Sequence, residues 1–252
     1  MRYVLILLIS AVLFSCNKKK KFDGPNSYAD GFESYSNVED LIDGNNELWS
    51  FFQLTDDLNT ITIDTNIVHS GTKSVRFSGV AGSSEDTKKC SINKQFMAFW
   101  EGETVVADFW CYLEGNEDID WLFIFDLEEK VPVGAGPGMR LAIVDNKLLL
   151  EHKYPQPNVE QSGEGVLFPR NQWVNIRFET LLSRKEKGSV RVYQDGVQIL
   201  SADNWQTLPK DILYANQRTK GMYNQIEFGL TANSDDNAHV MYLDNVSVVT
   251  VK

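Results

Sequence analysis

The sequence predicts an all-β fold, two antiparallel sheets packed as a sandwich, and three observations carry that expectation. Between Gln172 and Leu200 two runs alternate with a period of two, Val174, Ile176 and Phe178 against Asn175, Arg177 and Glu179, then Val190 and Val192 against Arg191 and Tyr193. Asp195-Gly196 follows, a dipeptide that tolerates positive φ and closes a tight turn. Helical periodicity is nearly absent elsewhere, and residues 28–252 suit one sandwich domain.

The start of the chain speaks to compartment. Arg2 precedes an apolar run from Tyr3 to Phe14, too short for a stable membrane span, and Leu13-Phe14-Ser15-Cys16 resembles the lipobox of bacterial lipoproteins. The resemblance implies a signal peptide over 1–15, lipidation of Cys16, and a tether over 16–27 carrying Lys18 to Lys21, which favours an anionic lipid surface. The plainer alternative is an ordinary signal peptide with an incidental cysteine. In the Bacteroidetes lipoproteins this segment resembles, acidic residues after the cysteine mark surface export. Their absence here leaves the periplasmic side open, and the expectation is an outer-membrane anchor with the leaflet not chosen.

The formal net charge of -11 at pH 7, with no basic stripe outside the tether, excludes nucleic acid as a natural partner. Cys90 and Cys111 would sit in an oxidising compartment, where a disulfide and two buried free thiols are both open readings. No EF-hand loop, zinc spacing, Walker loop or GxSxG elbow is present.

Taken in order, a polar stretch leads to Trp49 and Thr60 to Asp64, and His69 to Phe77 turns at Gly71 into an alternating strand. Further strands are expected at Thr104 to Leu113, Trp121 to Leu127, Met139 to Val144, Leu148 to Tyr154, Trp173 to Thr180, Ser189 to Gln194, Gln225 to Thr231 and Val240 to Val249. Asp145-Asn146 reads as a hairpin turn. Val131 to Gly138 and Pro155 to Pro169 read as loops long enough to overhang a face, and Asn204 to Leu213 as one short helical turn around Pro209.

Two resemblances sharpen the architecture. Gly31-Phe32-Glu33, Trp49, His69 to Phe77 and Tyr242 to Val246 resemble the framing strands of jelly-roll carbohydrate-binding modules. Trp173 to Ile176 and Val192 to Gly196 resemble concanavalin-like and laminin-G-like sandwiches, including polysaccharide lyases of that fold. Both imply a double-sheet jelly roll. The first also implies a structural calcium held by Glu33 and Asp244 with backbone carbonyls near Ser70 and Lys73, against the plainer reading that Glu33 caps a turn and Asp244 ends a strand.

Strand parity then sorts the polar residues. With the apolar set inward, Asp108, Trp110 and Tyr112, His152 and Tyr154, Asn175, Arg177 and Glu179, Arg191 and Tyr193, and Gln225 and Glu227 point outward. Aromatic rings beside amides and charges suit a sugar, whose C–H faces stack and whose hydroxyls pair, so a polysaccharide-binding face is expected. An ordinary solvated sheet face is the alternative.

Catalysis is legible only by type. Hydrolases of this fold take paired carboxylates from one strand in E-x-D-x-E spacing. The nearest run, Asp126-Leu127-Glu128-Glu129, reads as breaking that period. A lyase needs a neutraliser for a uronate and a base for its C5 proton, roles for which His152, Tyr154, Arg177, Tyr193 and Gln225 are the right types. The lyase strings Gln-Ile-His and Tyr-Phe-Lys-Ala-Gly are absent, with Tyr223 to Glu227 only close to the second. The expectation is therefore a lipid-anchored, noncatalytic glycan-binding sandwich, with a jelly-roll lyase and a structural, protein-binding lipoprotein as alternatives.

Overall fold

The protein is described by a computed structural model covering residues 23–129, 136, 138–153, 156–209 and 220–251. Its strands in chain order are β1 (Ser27–Asp30), β2 (Phe51–Leu54), β3 (Thr60–Asp64), β4 (Ser74–Gly79), β5 (Lys88–Trp100), β6 (Thr104–Leu113) and β7 (Leu122–Glu128). There follow β8 (Gly138–Val144), β9 (Lys147–His152), β10 (Trp173–Leu181), β11 (Gly188–Gln194), β12 (Val197–Trp205), β13 (Met222–Asn233) and β14 (His239–Val251), and a 3₁₀ turn spans Val38–Leu41. They form two antiparallel sheets. One has eight strands in the order β12-β11-β10-β6-β14-β4-β3, with β1 paired to the far half of β14; the other has six in the order β2-β5-β13-β7-β8-β9.

Period-two alternation buries one face of each sheet against the other. Phe109 of β6 and Phe178 of β10 meet Phe125 of β7 and Phe228 of β13, with ring centroids 4.9–5.7 Å apart. All four are buried, and burial of each contributes about 1.5–3 kcal/mol. The framing strands pair with one another, β14 lying between β4 and β6 and meeting β1 through Asp30↔Val246. Asp145 and Asn146 carry the positive φ of the expected hairpin turn, at 48° and 59°.

Of the two readings open for Cys90 and Cys111, the structure has the buried free thiols, and burial pushes the Cys90 thiol up to about 12. Other expectations change. Asn204 and Trp205 end strand β12 instead of opening a helical turn, and residues 210–213 lie outside the described ones. β5 was not expected. Its outer residues Ser91, Asn93 and Gln95 are polar, Lys94 sits at an inward position, and Phe96 interrupts the strand at φ 61°, so no clean alternation survives.

Candidate active site

The expected site residues divide between places that do not communicate. Asp108, Trp110, Tyr112, Asn175, Arg177, Glu179, Arg191 and Tyr193 do share one surface, the outer face of the eight-stranded sheet, while Phe109, Val174, Ile176, Phe178 and Val192 point inward. There the polar groups satisfy one another. Asn175 donates to Asp108 at 2.9 Å, Arg177 donates to Glu179 at 2.6 Å, and Arg191 reaches Asp203 at 2.6 Å. The His69 ring stacks on Trp110 with centroids 3.7 Å apart, covering a ring face a sugar would need.

His152, Gln225 and Glu227 are not on that face. His152 shares the inward parity of Leu148 and Leu150, packs 5.0 Å from the Trp205 ring, and is pushed by burial down to about 4. It is therefore a neutral interior residue and not a base on the surface. The run Leu148-Leu149-Leu150 supports either parity, which is why the sequence misplaces it. Tyr154 lies outside the described residues. Gln225 and Glu227 are on β13, in the other sheet.

That other sheet carries the richer chemistry. On its outer face, register places Asn93, Glu227, Asp126, Arg140 and Glu151 opposite one another across β5, β13, β7, β8 and β9. One pleat away, Gln95, Gln225 and Glu128 form a second row, and Lys153 follows the end of β9. The sequence reading set Asp126 and Glu128 aside; spaced two apart on a regular strand, they project to the same side. Lys153, just past a strand end, has no periodicity to announce it.

The first row is an ionic knot. Arg140 Nε donates to both Asp126 oxygens at 3.1 and 3.2 Å, and its guanidinium lies 3.5 Å over the Phe123 ring. Lys153 Nζ lies 2.8 Å from Asp126 and also bonds Glu128. Thr231 Oγ1 donates to Asp126 at 2.9 Å, and Ser91 donates to Glu227. An amide ladder crosses the second row: Gln95 donates to Gln225 at 2.8 Å, and Gln225 donates to Glu128 at 2.6 Å and to Asn93 at 2.9 Å. Among the described residues Asn93 Nδ2 has no partner, a buried donor beside Glu227.

The carboxyl groups differ in what surrounds them. Burial raises Asp126, but the Arg140 and Lys153 cations outweigh it and hold that carboxyl below its ordinary range. Glu227 has burial and then the negative charge of Asp126 against its ionised form, and is pushed up to about 7. Glu128 is also raised, first by burial, with Lys153 opposing. Two carboxyl groups driven apart by their surroundings give a fixed anion and a group able to hold or release a proton near neutrality. Asp126, Glu128 and Glu227 lie close enough to share a cation, but Lys153 already fills the space between the first two.

Glu33 and Asp244 meet the 69–73 turn through its N–H groups. Glu33 accepts from Thr72 N at 3.0 Å and Lys73 N at 3.1 Å, Asp244 accepts from His69 N at 3.0 Å and Ser70 N at 3.1 Å, and Lys73 Nζ donates to the Glu33 and Tyr35 carbonyls. A calcium ion requires oxygens turned toward it, so this set of N–H donors does not fit one.

The fold has known counterparts. The endo-β-1,4-glucuronan lyase of the fungus Trichoderma reesei superposes with TM-score 0.63 at 15% identity, covering 81% of this chain and 91% of that one. The cellulose-induced protein Cip1 gives 0.62 at 14%, covering 88% and 96%, and the alginate lyase Aly36B gives 0.57 at 10%, covering 91% and 99%. At such identities the likeness is one of fold, a jelly-roll sandwich. No curated protein sequence matches the chain. The polysaccharide lyase family pattern runs through residues 42–247, from before β2 into β14 and across every strand of the six-stranded sheet, and the chain belongs to that family.

Proposed function

We propose that the protein is a lyase that cleaves a uronate-containing polysaccharide by β-elimination on the outer face of its six-stranded sheet. Family membership favours this over the noncatalytic binding reading. The observation that carries it is Glu227, a buried carboxyl raised to about 7, next to Asn93 Nδ2, which has no partner among the described residues. Elimination needs the uronate carboxylate stabilised as the C5 proton leaves. Asn93 Nδ2 and the adjoining Gln95 amide, held by Gln225, supply neutral donors, and Lys153 and Arg140 supply positive field. Glu227 takes the C5 proton, the C4–O bond breaks, a C4–C5 double bond forms, and the same carboxyl returns the proton to the leaving oxygen. Fold neighbours named for glucuronan and alginate support acidic polysaccharides as the substrate class.

The test is ultraviolet absorbance of the unsaturated product on a panel of acidic polysaccharides. Glu227→Gln should lower turnover about 10²–10⁴-fold, the size of a lost general base, while leaving circular dichroism unchanged. A Glu227→Gln enzyme as active as wild type removes Glu227 from this role, and no absorbance change with any uronate polymer overturns the lyase reading.

The lipobox resemblance supports an outer-membrane anchor through Cys16. Cys16→Ser should move the protein from the membrane to the soluble fraction, because the lysine tether alone gives only salt-sensitive attraction. Retention of the variant in high salt would count against it.

A further inference from the structure

The catalytic row does not end at Arg140. One pleat further along the same outer face, Phe123, Ala142 and Leu149 stand opposite one another. The next pleat brings Val144 opposite Lys147, with Trp121 beside Phe123 at 5.8 Å between ring centroids. The polar row thus passes through Arg140, stacked on Phe123, to the half-exposed Trp121, two pleats or roughly 13 Å away. That is farther than one sugar ring reaches. Trp121, Val144 and Leu149 contribute to a cleft of about 340 Å³.

The far wall of the cleft is built. Val159 bridges to Leu150 and Leu167 to Lys147, so residues 159–167 run beside β9. Gln161 ties that segment down, donating to the Leu148 carbonyl at 3.1 Å and accepting from Val166 N at 2.6 Å. The rim carries Asp145, Glu160 and Glu164 against the single ammonium of Lys147. An indole floor suits the C–H face of a pyranose, and an acidic rim repels a second carboxylate.

We infer that this cleft is a subsite for an uncharged sugar, so that the substrate is a heteropolymer in which the uronate cleaved at Glu227 lies within a few residues of a neutral sugar stacked on Trp121. The inference rests on the proposed function for the position of the cleavage row, but the cleft itself is read by binding, without turnover.

Calorimetry on the Glu227→Gln protein decides it, with three hexasaccharide probes: cellohexaose, all neutral; a glucuronan hexamer, all uronate; and a hyaluronan hexamer, alternating glucuronate with neutral N-acetylglucosamine. The alternating hexamer should bind most tightly, and Trp121→Ala should weaken it at least tenfold. The double variant Glu160→Gln/Glu164→Gln should tighten the glucuronan hexamer several-fold and leave cellohexaose unchanged. Trp121→Phe, which keeps a ring against Phe123, should retain most of the affinity; it separates lost stacking from lost folding, which thermal unfolding of each variant also reports.

The inference is overturned if the glucuronan hexamer binds as tightly as the alternating one with the same dependence on Trp121. It is equally overturned if Trp121→Ala, folded, leaves every affinity unchanged, or if no hexamer binds. Trp121-dependent binding of the alternating hexamer keeps the subsite even where no uronate polymer gives an absorbance change, the result that sinks the lyase reading alone.

Discussion

At the scale of single residues, Asp126 and Glu227 show how one surface gives two carboxyl groups opposite tasks. Both are buried and sit opposite each other across β7 and β13, but only Asp126 has two cations on it. Asp126→Ala should therefore cost about 3–5 kcal/mol, measured by urea unfolding, because Arg140 would lose the carboxylate that both its hydrogen bonds reach and Lys153 one of its two anions while both stay buried. Loss of under about 1 kcal/mol would mean the cations escape to solvent. Glu227 carries the opposite sign. Its folded value of about 7 lies above the ordinary 4.5, so the native state binds its proton more tightly than the unfolded chain does. Stability from this group is fully present below about 4.5 and is lost as pH rises to about 7, a change of about 3 kcal/mol. Glu227→Gln, which keeps an oxygen to accept from Ser91, should be more stable than wild type at pH 8 and similar to it at pH 4. A variant less stable than wild type at pH 8 would show that Glu227 is not held against its ionised form.

At the scale of elements, the expected strands fall where alternation was clean. Thr104–Leu113 has the same bounds in sequence and structure, and β10, β11 and β14 differ by one or two residues at their ends. β5 and β13 are different. Both are buried along nearly their whole length on both faces, so the polar residues of the site occupy positions where burial leaves no periodic mark. Gln225 and Glu227 were legible as outward residues, but not as members of a row with Asp126, because sequence gives parity and not strand order. β13 also holds Gly229 at φ 114°, where an added Cβ would come within 2.8 Å of the Cys90 carbonyl oxygen and of the Phe77 ring. Only glycine suits both the backbone and the space. Gly229→Ala should cost about 3 kcal/mol or more and disturb the pairing that positions Glu227 two residues before it. Unchanged thermal unfolding would mean that β13 relaxes at this point without loss.

At the scale of the whole molecule, the sandwich keeps two faces apart, and most residues that the sequence offered lie on the eight-stranded sheet, with Gln225 and Glu227 on the other. The aromatic and charged residues on β6, β10 and β11 alternate cleanly because their face is partly solvated, which is also why they pair among themselves. The proposed site on the six-stranded sheet is buried and irregular, and its cations come from strands that parity alone cannot place beside β13. Glu33 and Asp244 tie the two ends of the chain to the 69–73 turn, in the region where β1, β4 and β14 meet. Because those carboxylates already accept N–H donors, a chelator should leave the melting temperature unchanged, and added calcium should not raise it. Glu33→Gln, which keeps one acceptor for Thr72 and Lys73, should then lower stability only slightly, while Asp244→Ala, which strips the buried acceptor from His69 N and Ser70 N, should cost about 1–3 kcal/mol. A melting temperature that falls with chelator and recovers with calcium would show instead that the turn opens its carbonyls to a cation, and would return Glu33 and Asp244 to the role their resemblance to the carbohydrate-binding modules implies.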